Sequence, residues 1–128
     1  MKFKYILLSL ILIFPSVKVA HSNQTLKCVT TDYRLSPRYN KSWGMSWIPE
    51  LFNITLDSNG IKLFGKNATV TENSENKLKF YIKNVHNNQN YTIRRFTYFK
   101  SNGKFAVDFT LPGNFADPGS IWGECSSE

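Results

Sequence analysis

Short runs in which apolar and polar residues alternate one by one occupy most of the chain after Thr25. Successive side chains of a β-strand point to opposite faces of the sheet, so this period of two is typical of strands with one buried face. In one such run, Leu78, Phe80 and Ile82 alternate with a set of mostly charged positions, which includes Lys77, Lys79 and Lys83. Turn-forming residues bound the runs, and no convincing amphipathic helix lies between them. The pattern therefore predicts an all-β domain.

One alternating segment, residues 51–66, contains the dipeptide Asn59-Gly60 at its centre. Asn-Gly is favoured in two-residue type I′ hairpins, because both turn residues need a positive φ angle. With that turn, Asp57 would lie opposite Lys62, and five apolar residues would share one face: Phe52, Ile54, Leu56, Ile61, Leu63. The turn and the apolar pattern thus predict a β-hairpin with a single register.

A second dipeptide, Asn102-Gly103, divides the alternating segment 91–111 in the same way. The hairpin would leave Tyr91 and Ile93 on the polar face. A β-bulge at Arg94-Arg95 would return both to the core by inserting one extra residue. We therefore predict a bulge there, with Arg95 on the outer face and close to Asp108.

About seven strands are expected, from residues 25–33 to residues 121–126, and short turns join most of them. Such a chain favours an antiparallel meander. Because an open sheet exposes two edges, we expect a small barrel or a strongly bent sheet, with the first and last strands side by side.

Residues 1–22 have the organisation of a secretory signal peptide. Lys2 and Lys4 give a positive start, and the apolar stretch that follows is shorter than the about 20 residues that span a bilayer. Ala20 and Ser22 fit cleavage after Ser22, which would leave one domain, residues 23–128. Three of the 16 basic residues lie in the leader, so 13 would remain against 9 acidic residues, a net charge of +4. We expect an exported protein, periplasmic or secreted, with no membrane span after cleavage.

Cys28 and Cys125 lie near the two ends of this domain. An isolated cysteine pair in an exported domain normally forms a disulfide. A redox-active or metal-binding pair is less consistent with the sequence, because no Cys-x-x-Cys motif occurs. In the chain-entropy model, a bridge that closes nearly the whole domain stabilises it by roughly 4.7 kcal/mol.

No standard catalytic constellation is found. His86 is the one histidine after the cleavage site, and it lies in an Asn-rich turn. Asp57 and Asp108 would each face a basic residue, which argues against paired catalytic carboxylates. We therefore expect no enzyme, no metal and no cofactor. The small net charge and the export signal argue against nucleic-acid binding.

The connection 34–50 is very apolar for a loop, because it carries several large side chains: Tyr39, Trp43, Met45, Trp47. Two interpretations stay open. The side chains could cap one end of the core, as apolar loops usually do. They could instead cover a ligand cavity or contact a partner protein. An empty cavity beneath Trp43 and Trp47 would favour a small ligand, and a filled core would favour a partner.

Three short motifs resemble those of small exported bacterial proteins of unknown function: Leu26-Lys27-Cys28-Val29, Tyr91 to Thr97, Gly123-Glu124-Cys125. The resemblance implies a meander or a lipocalin-like small barrel in the periplasm and transfers no activity. In size and cysteine placement the chain is also similar to periplasmic C-type lysozyme inhibitors, but it lacks their Ser-Gly-x-x-Tyr loop.

The sequence as a whole predicts a monomeric, non-enzymatic binding protein. Its ligand would be either a small apolar molecule or another protein of the cell envelope. The alternative is a structural or inhibitor-type interaction domain that docks through the loop of Trp43 and Trp47.

Overall fold

A computed structural model describes residues 23–113 and 117–127; the predicted signal peptide and its cleavage site lie outside these residues. Eight antiparallel strands each pair with the next along the chain, and the last pairs with the first, so the sheet closes into a barrel. The strands are β1 (Gln24–Leu35), β2 (Leu51–Asp57), β3 (Gly60–Leu63), β4 (Lys66–Asn73), β5 (Lys77–Val85), β6 (Tyr91–Phe99), β7 (Lys104–Thr110) and β8 (Gly119–Ser127). One helix, α1 (Lys41–Trp47), occurs in the described part of the chain. The predicted all-β meander is confirmed.

The barrel has one strand more than the sequence predicts, and that strand is β4. Most of its residues are exposed, with no buried position along its length. The alternation that marks a half-buried strand is therefore missing. β4 pairs with β3 through Lys66 to Ala68 and with β5 through Thr69 to Asn73, so it bridges two neighbours that would otherwise remain apart.

Phenylalanine side chains fill the middle of the barrel. The rings of Phe80 and Phe96 are stacked, with centroids 5.1 Å apart, and Phe52 meets Phe105 edge-on at 5.4 Å. Phe80, Phe96 and Phe105 are each only 1% exposed. The middle of the barrel is thus a packed aromatic core.

The first hairpin has a different register from the predicted one. Asp57 lies opposite Gly60, and Lys62 lies opposite Thr55. The turn residues are Ser58 and Asn59, and the Asp57 carboxylate accepts a hydrogen bond from the backbone N–H of Asn59. Gly60, with φ of 123°, carries the positive angle. The apolar residues still share one face, because a shift of two residues preserves the side on which each side chain points.

A two-residue hairpin with positive φ does occur, between β3 and β4. Its turn residues Phe64 and Gly65 have φ of 54° and 73°, while Leu63 pairs with Lys66. A left-handed conformation costs a phenylalanine about 1–2 kcal/mol. The strain is offset by packing, because the Phe64 ring lies 5.3 Å from Phe52 and 6.3 Å from Phe96.

The second hairpin closes through the four residues 100–103, so Phe99 pairs with Lys104 and Arg95 lies directly opposite Asp108. The predicted bulge at Arg94-Arg95 is wrong, because the pairing of β6 with β5 and β7 runs without interruption. Register shifts lie instead at Thr31 and Thr71. Tyr91 therefore stays exposed and Ile93 only half-buried, and the inward positions belong to Thr92 and Arg94.

The disulfide between Cys28 and Cys125 is confirmed. The two cysteines are register partners on β1 and β8, where the first and last strands close the sheet.

Candidate functional site

The helix α1 lies over one end of the barrel, in the connection that the sequence predicts as an apolar loop. Asn40 caps its N-terminus, because the side-chain Oδ1 accepts a hydrogen bond of 2.8 Å from the N–H of Trp43. This cap satisfies one of the four N–H groups that the first turn of a helix leaves free. The sequence predicts no amphipathic helix after Thr25, and the seven residues of α1 correct that prediction.

A glycine lets this helix approach the barrel closely. Gly44 is buried, and a β-carbon at that position would lie 2.8 Å from Cδ2 of Tyr33 and 3.0 Å from Leu35. Beyond the helix, Ile48 is 0% exposed. The Tyr33 hydroxyl donates a 2.7 Å hydrogen bond to the Ile48 carbonyl, and burial raises the pKa of Tyr33. The helix is therefore fastened to β1 and is not a free lid.

Arg94 supports the helix from inside the barrel. Its side chain is 5% exposed, and it donates hydrogen bonds to the Trp47 carbonyl at 2.9 Å and to Asn84 Oδ1 at 2.7 Å. The guanidinium also lies 5.2 Å from the Trp47 ring and 4.9 Å from the Phe64 ring. Burial lowers the pKa of Arg94, and among the residues that the structure describes its Nε has no hydrogen-bond partner.

Sequence reasoning missed Arg94, although a signal was present. Uninterrupted alternation along β6 puts Thr92, Arg94 and Phe96 on one face, and all three are buried. The predicted bulge assumes that burying the apolar side chains of Tyr91 and Ile93 is more favourable than burying the side chain of Arg94. In the folded protein Arg94 is buried instead, because the aromatic faces and oxygen acceptors around its guanidinium offset part of the cost of burying a charge.

Three of the four predicted site residues surround a shallow groove beside α1, which we call the aromatic groove. Its volume is about 300 Å³, and it is lined by Tyr39, Trp43, Trp47, Thr92, Leu111 and Pro112. The Trp43 ring lies 4.5 Å from Tyr39 and 5.2 Å from Phe109. Both tryptophans are half-buried and the core beneath them is filled. Met45, 37% exposed, does not line the groove.

Every polar side chain of the aromatic groove can donate a hydrogen bond: the indoles of Trp43 and Trp47 only donate, whereas the hydroxyls of Tyr39 and Thr92 can also accept. Within the described residues, the indole N–H groups of Trp43 and Trp47 and the hydroxyl of Tyr39 make no hydrogen bond. The Thr92 hydroxyl is already paired with His86 Nε2 at 2.8 Å. The groove thus combines flat apolar faces with hydrogen-bond donors that a bound acceptor could use.

No group of three or more His, Cys, Asp or Glu residues that could hold a metal ion occurs in residues 23–113 and 117–127. No helix in that part of the chain is long and apolar enough to cross a membrane. The eight-stranded barrel with a bridge between its terminal strands agrees with the fold that the resemblance implies. Comparison with protein-family models, curated proteins and solved structures found no match.

Proposed function

We propose that this protein is an exported, non-enzymatic binding domain, and that its aromatic groove binds an extended, proline-rich segment of a partner protein. The observation that carries the proposal is the rigid placement of Tyr39, Trp43 and Trp47 around a groove whose core is filled from below. Because both tryptophans pack against the core, the described residues form a surface groove between them rather than an enclosed cavity. Tryptophan and tyrosine anchors held in advance are typical of protein interfaces.

The hydrogen-bonding groups of the groove favour a proline-rich occupant. A polyproline II segment has no internal hydrogen bonds and exposes its carbonyl oxygens, while proline itself brings no N–H that would need an acceptor. Two indole N–H groups and one tyrosine hydroxyl can donate to such carbonyls. Aromatic-lined grooves are a recurring way to bind these segments, whose preformed shape lowers the entropy lost on binding.

A titration with synthetic peptides tests the proposal. Proline-rich peptides of about ten residues should quench or shift tryptophan fluorescence with saturation, and alanine-rich peptides of equal length should not. Trp43→Phe and Trp47→Phe keep an aromatic ring but remove the indole donor. Each should weaken binding about 2- to 12-fold, which corresponds to one hydrogen bond of about 0.5–1.5 kcal/mol.

Trp122→Phe is the matched control. Trp122 lies on β8, where its indole donates to Ser120 and Arg34 packs over its ring, away from the groove. This variant should bind the proline-rich peptides as the wild type does. Equal binding of alanine-rich peptides, or equal loss in all three variants, would contradict the groove as the site.

The cellular location is part of the same proposal. The leader pattern of residues 1–22, the disulfide and the resemblance to small exported bacterial proteins support a periplasmic protein. The intact mass of the purified protein should correspond to a chain that begins at Asn23 and has two hydrogens fewer than the reduced form. A mass that includes residues 1–22 would contradict export by cleavage.

A further inference from the structure

The barrel end opposite α1 is open. It holds a cavity of about 500 Å³, which we call the cup, and its lining residues come from the starts and ends of six strands and from one turn. The apolar part of this lining is Leu26, Leu56, Ile61, Val70, Leu78 and Tyr98. Because the cup and the aromatic groove share no residue, each can be occupied without the other.

The cup has an apolar floor and does not continue through the barrel. Leu26, Ile61 and Leu78 line it, yet they are only 3%, 5% and 6% exposed, so they lie near its base. The next inward-facing residues along the strands form a closed layer, each at most 3% exposed: Cys28, Ile54, Leu63, Phe80, Phe96. A ligand can therefore enter only to a limited depth.

The rim of the cup carries unused hydrogen-bond donors. The Tyr98 hydroxyl makes no hydrogen bond within the described residues. The Lys100 ammonium donates to Asn73 Oδ1 at 2.6 Å and to the Ser74 carbonyl at 2.7 Å, which leaves one of its three N–H groups free. Lys100 has no carboxylate partner among the described residues. The rim also carries the carboxylate of Asp57, which accepts a hydrogen bond from the N–H of Asn59, so the two charges on the rim are of opposite sign and an anionic head would have to lie on the side of Lys100 and Tyr98.

We propose that the cup binds a small amphipathic molecule with a short alkyl chain or single ring and an anionic, hydrogen-bond-accepting head, such as a short-chain carboxylate. The apolar body rests on Leu26, Ile61 and Leu78. The head stays at the rim, where Tyr98 and Lys100 donate to it. Apolar concavities with a few convergent polar groups at barrel mouths are common small-ligand sites.

The floor makes a specific prediction about chain length. In a calorimetric series of straight-chain carboxylates, affinity should rise roughly fourfold for each added methylene while the chain still gains burial. It should then level off when the chain reaches the layer of Phe80 and Phe96. An alkyl amine of equal length should bind more weakly, because an ammonium head offers no acceptor to Tyr98 and Lys100 and is repelled by Lys100, even though Asp57 attracts it. Continued increase to long chains, or preference for the amine, would overturn the proposal.

Two variants that should lose binding and one matched control locate the site. Leu56→Trp places a large side chain in the cup and should abolish carboxylate binding, whereas Leu51→Trp, on the same strand but 73% exposed and outside the lining, should not. Because Leu56→Trp could also disturb folding, Tyr98→Phe provides a second test. It should weaken binding about 2- to 12-fold, as expected for one hydrogen bond, at an unchanged melting temperature. Unchanged binding in Leu56→Trp, or no effect of Tyr98→Phe, would refute the assignment.

Proline-rich peptides should bind all three variants normally. The proposal for the cup and the proposed peptide binding at the aromatic groove can therefore be refuted separately.

Discussion

Arg94 is a positive charge inside an apolar barrel without a carboxylate beside it in the described residues. Two carbonyl-type oxygens and two aromatic faces surround its guanidinium. Each of these contacts is weaker than an ion pair, but together they offset part of the desolvation cost. They also fix the position of Trp47, so the wall of the aromatic groove depends on this one residue.

Replacing Arg94 should therefore destabilise the fold, whereas replacing its sequence neighbour Arg95 should have little effect. Arg94→Met keeps most of the volume but leaves the Trp47 carbonyl and Asn84 unpaired, which should cost about 1–3 kcal/mol in urea unfolding. Arg95→Met is the control: Arg95 is exposed and pairs with Asp108 at the surface, where such pairs contribute about 0–1 kcal/mol. Equal losses in the two variants would show that the buried contacts contribute little.

Tyr33 should make stability depend on pH in the alkaline range. Burial raises its pKa above 10.0, so the folded protein favours the neutral hydroxyl that donates to Ile48. The wild type should be about 1 kcal/mol more stable than Tyr33→Phe below pH 10. As pH rises, the unfolded chain ionises first and this advantage disappears through the raised pKa. A gap that stays constant between neutral and strongly alkaline pH would contradict this linkage.

At the scale of the element, α1 depends on the barrel more than on its own sequence. Seven residues are too few for a helix to be stable alone. In an exposed helix, glycine to alanine would stabilise by about 1 kcal/mol. Here Gly44→Ala should destabilise by about 1–3 kcal/mol, because its methyl group would overlap Tyr33. Ser42→Ala, at an exposed position of the same helix, should be neutral, and thermal melts of both variants test this contrast.

The elements that the sequence predicts are those that local sequence patterns determine, and the elements that it misses are those that depend on contacts within the folded barrel. β5 is evident from its alternation, and the leader pattern together with the position of two cysteines near the ends of the domain predicts the Cys28–Cys125 bridge. For α1 the sequence offers only a local signal, the Asn40 cap. The Gly44 contact and the Tyr33 hydrogen bond, which hold the helix on the barrel, form only in the folded protein and could not be predicted. The registers of the hairpins β2–β3 and β6–β7 differ by two residues from the predicted ones. The prediction places both residues of each Asn-Gly pair at turn positions with positive φ, whereas in the structure only the glycine of each pair has a positive φ.

At the scale of the whole molecule, the disulfide reinforces the seam where the sheet closes. Ninety-seven positions separate Cys28 from Cys125, so reduction frees nearly the entire described domain in the unfolded state. The double variant Cys28→Ser/Cys125→Ser should lose about 2–5 kcal/mol of unfolding free energy. Chemical denaturation of the wild type with and without a reductant should give the same difference. A loss below this range would mean that the backbone pairing of β1 and β8 keeps the barrel closed without the disulfide.

Closure of β1 onto β8 also makes the fold a ring in which every strand forms backbone hydrogen bonds with the strand on either side of it. Leu26 lies opposite Ser127, so a short linker can join the two ends of the described chain. A circular permutant opened between Asn88 and Gln89, in an exposed turn, should then form the same barrel. In that permutant the cysteines are separated by only about ten residues, and the loop-closure term falls from roughly 4.7 to about 3 kcal/mol. In the natural order the disulfide closes a loop of nearly the whole domain, whereas in the permutant it would close only a short loop. Reduction should therefore lower the unfolding free energy of the permutant less than that of the parent protein.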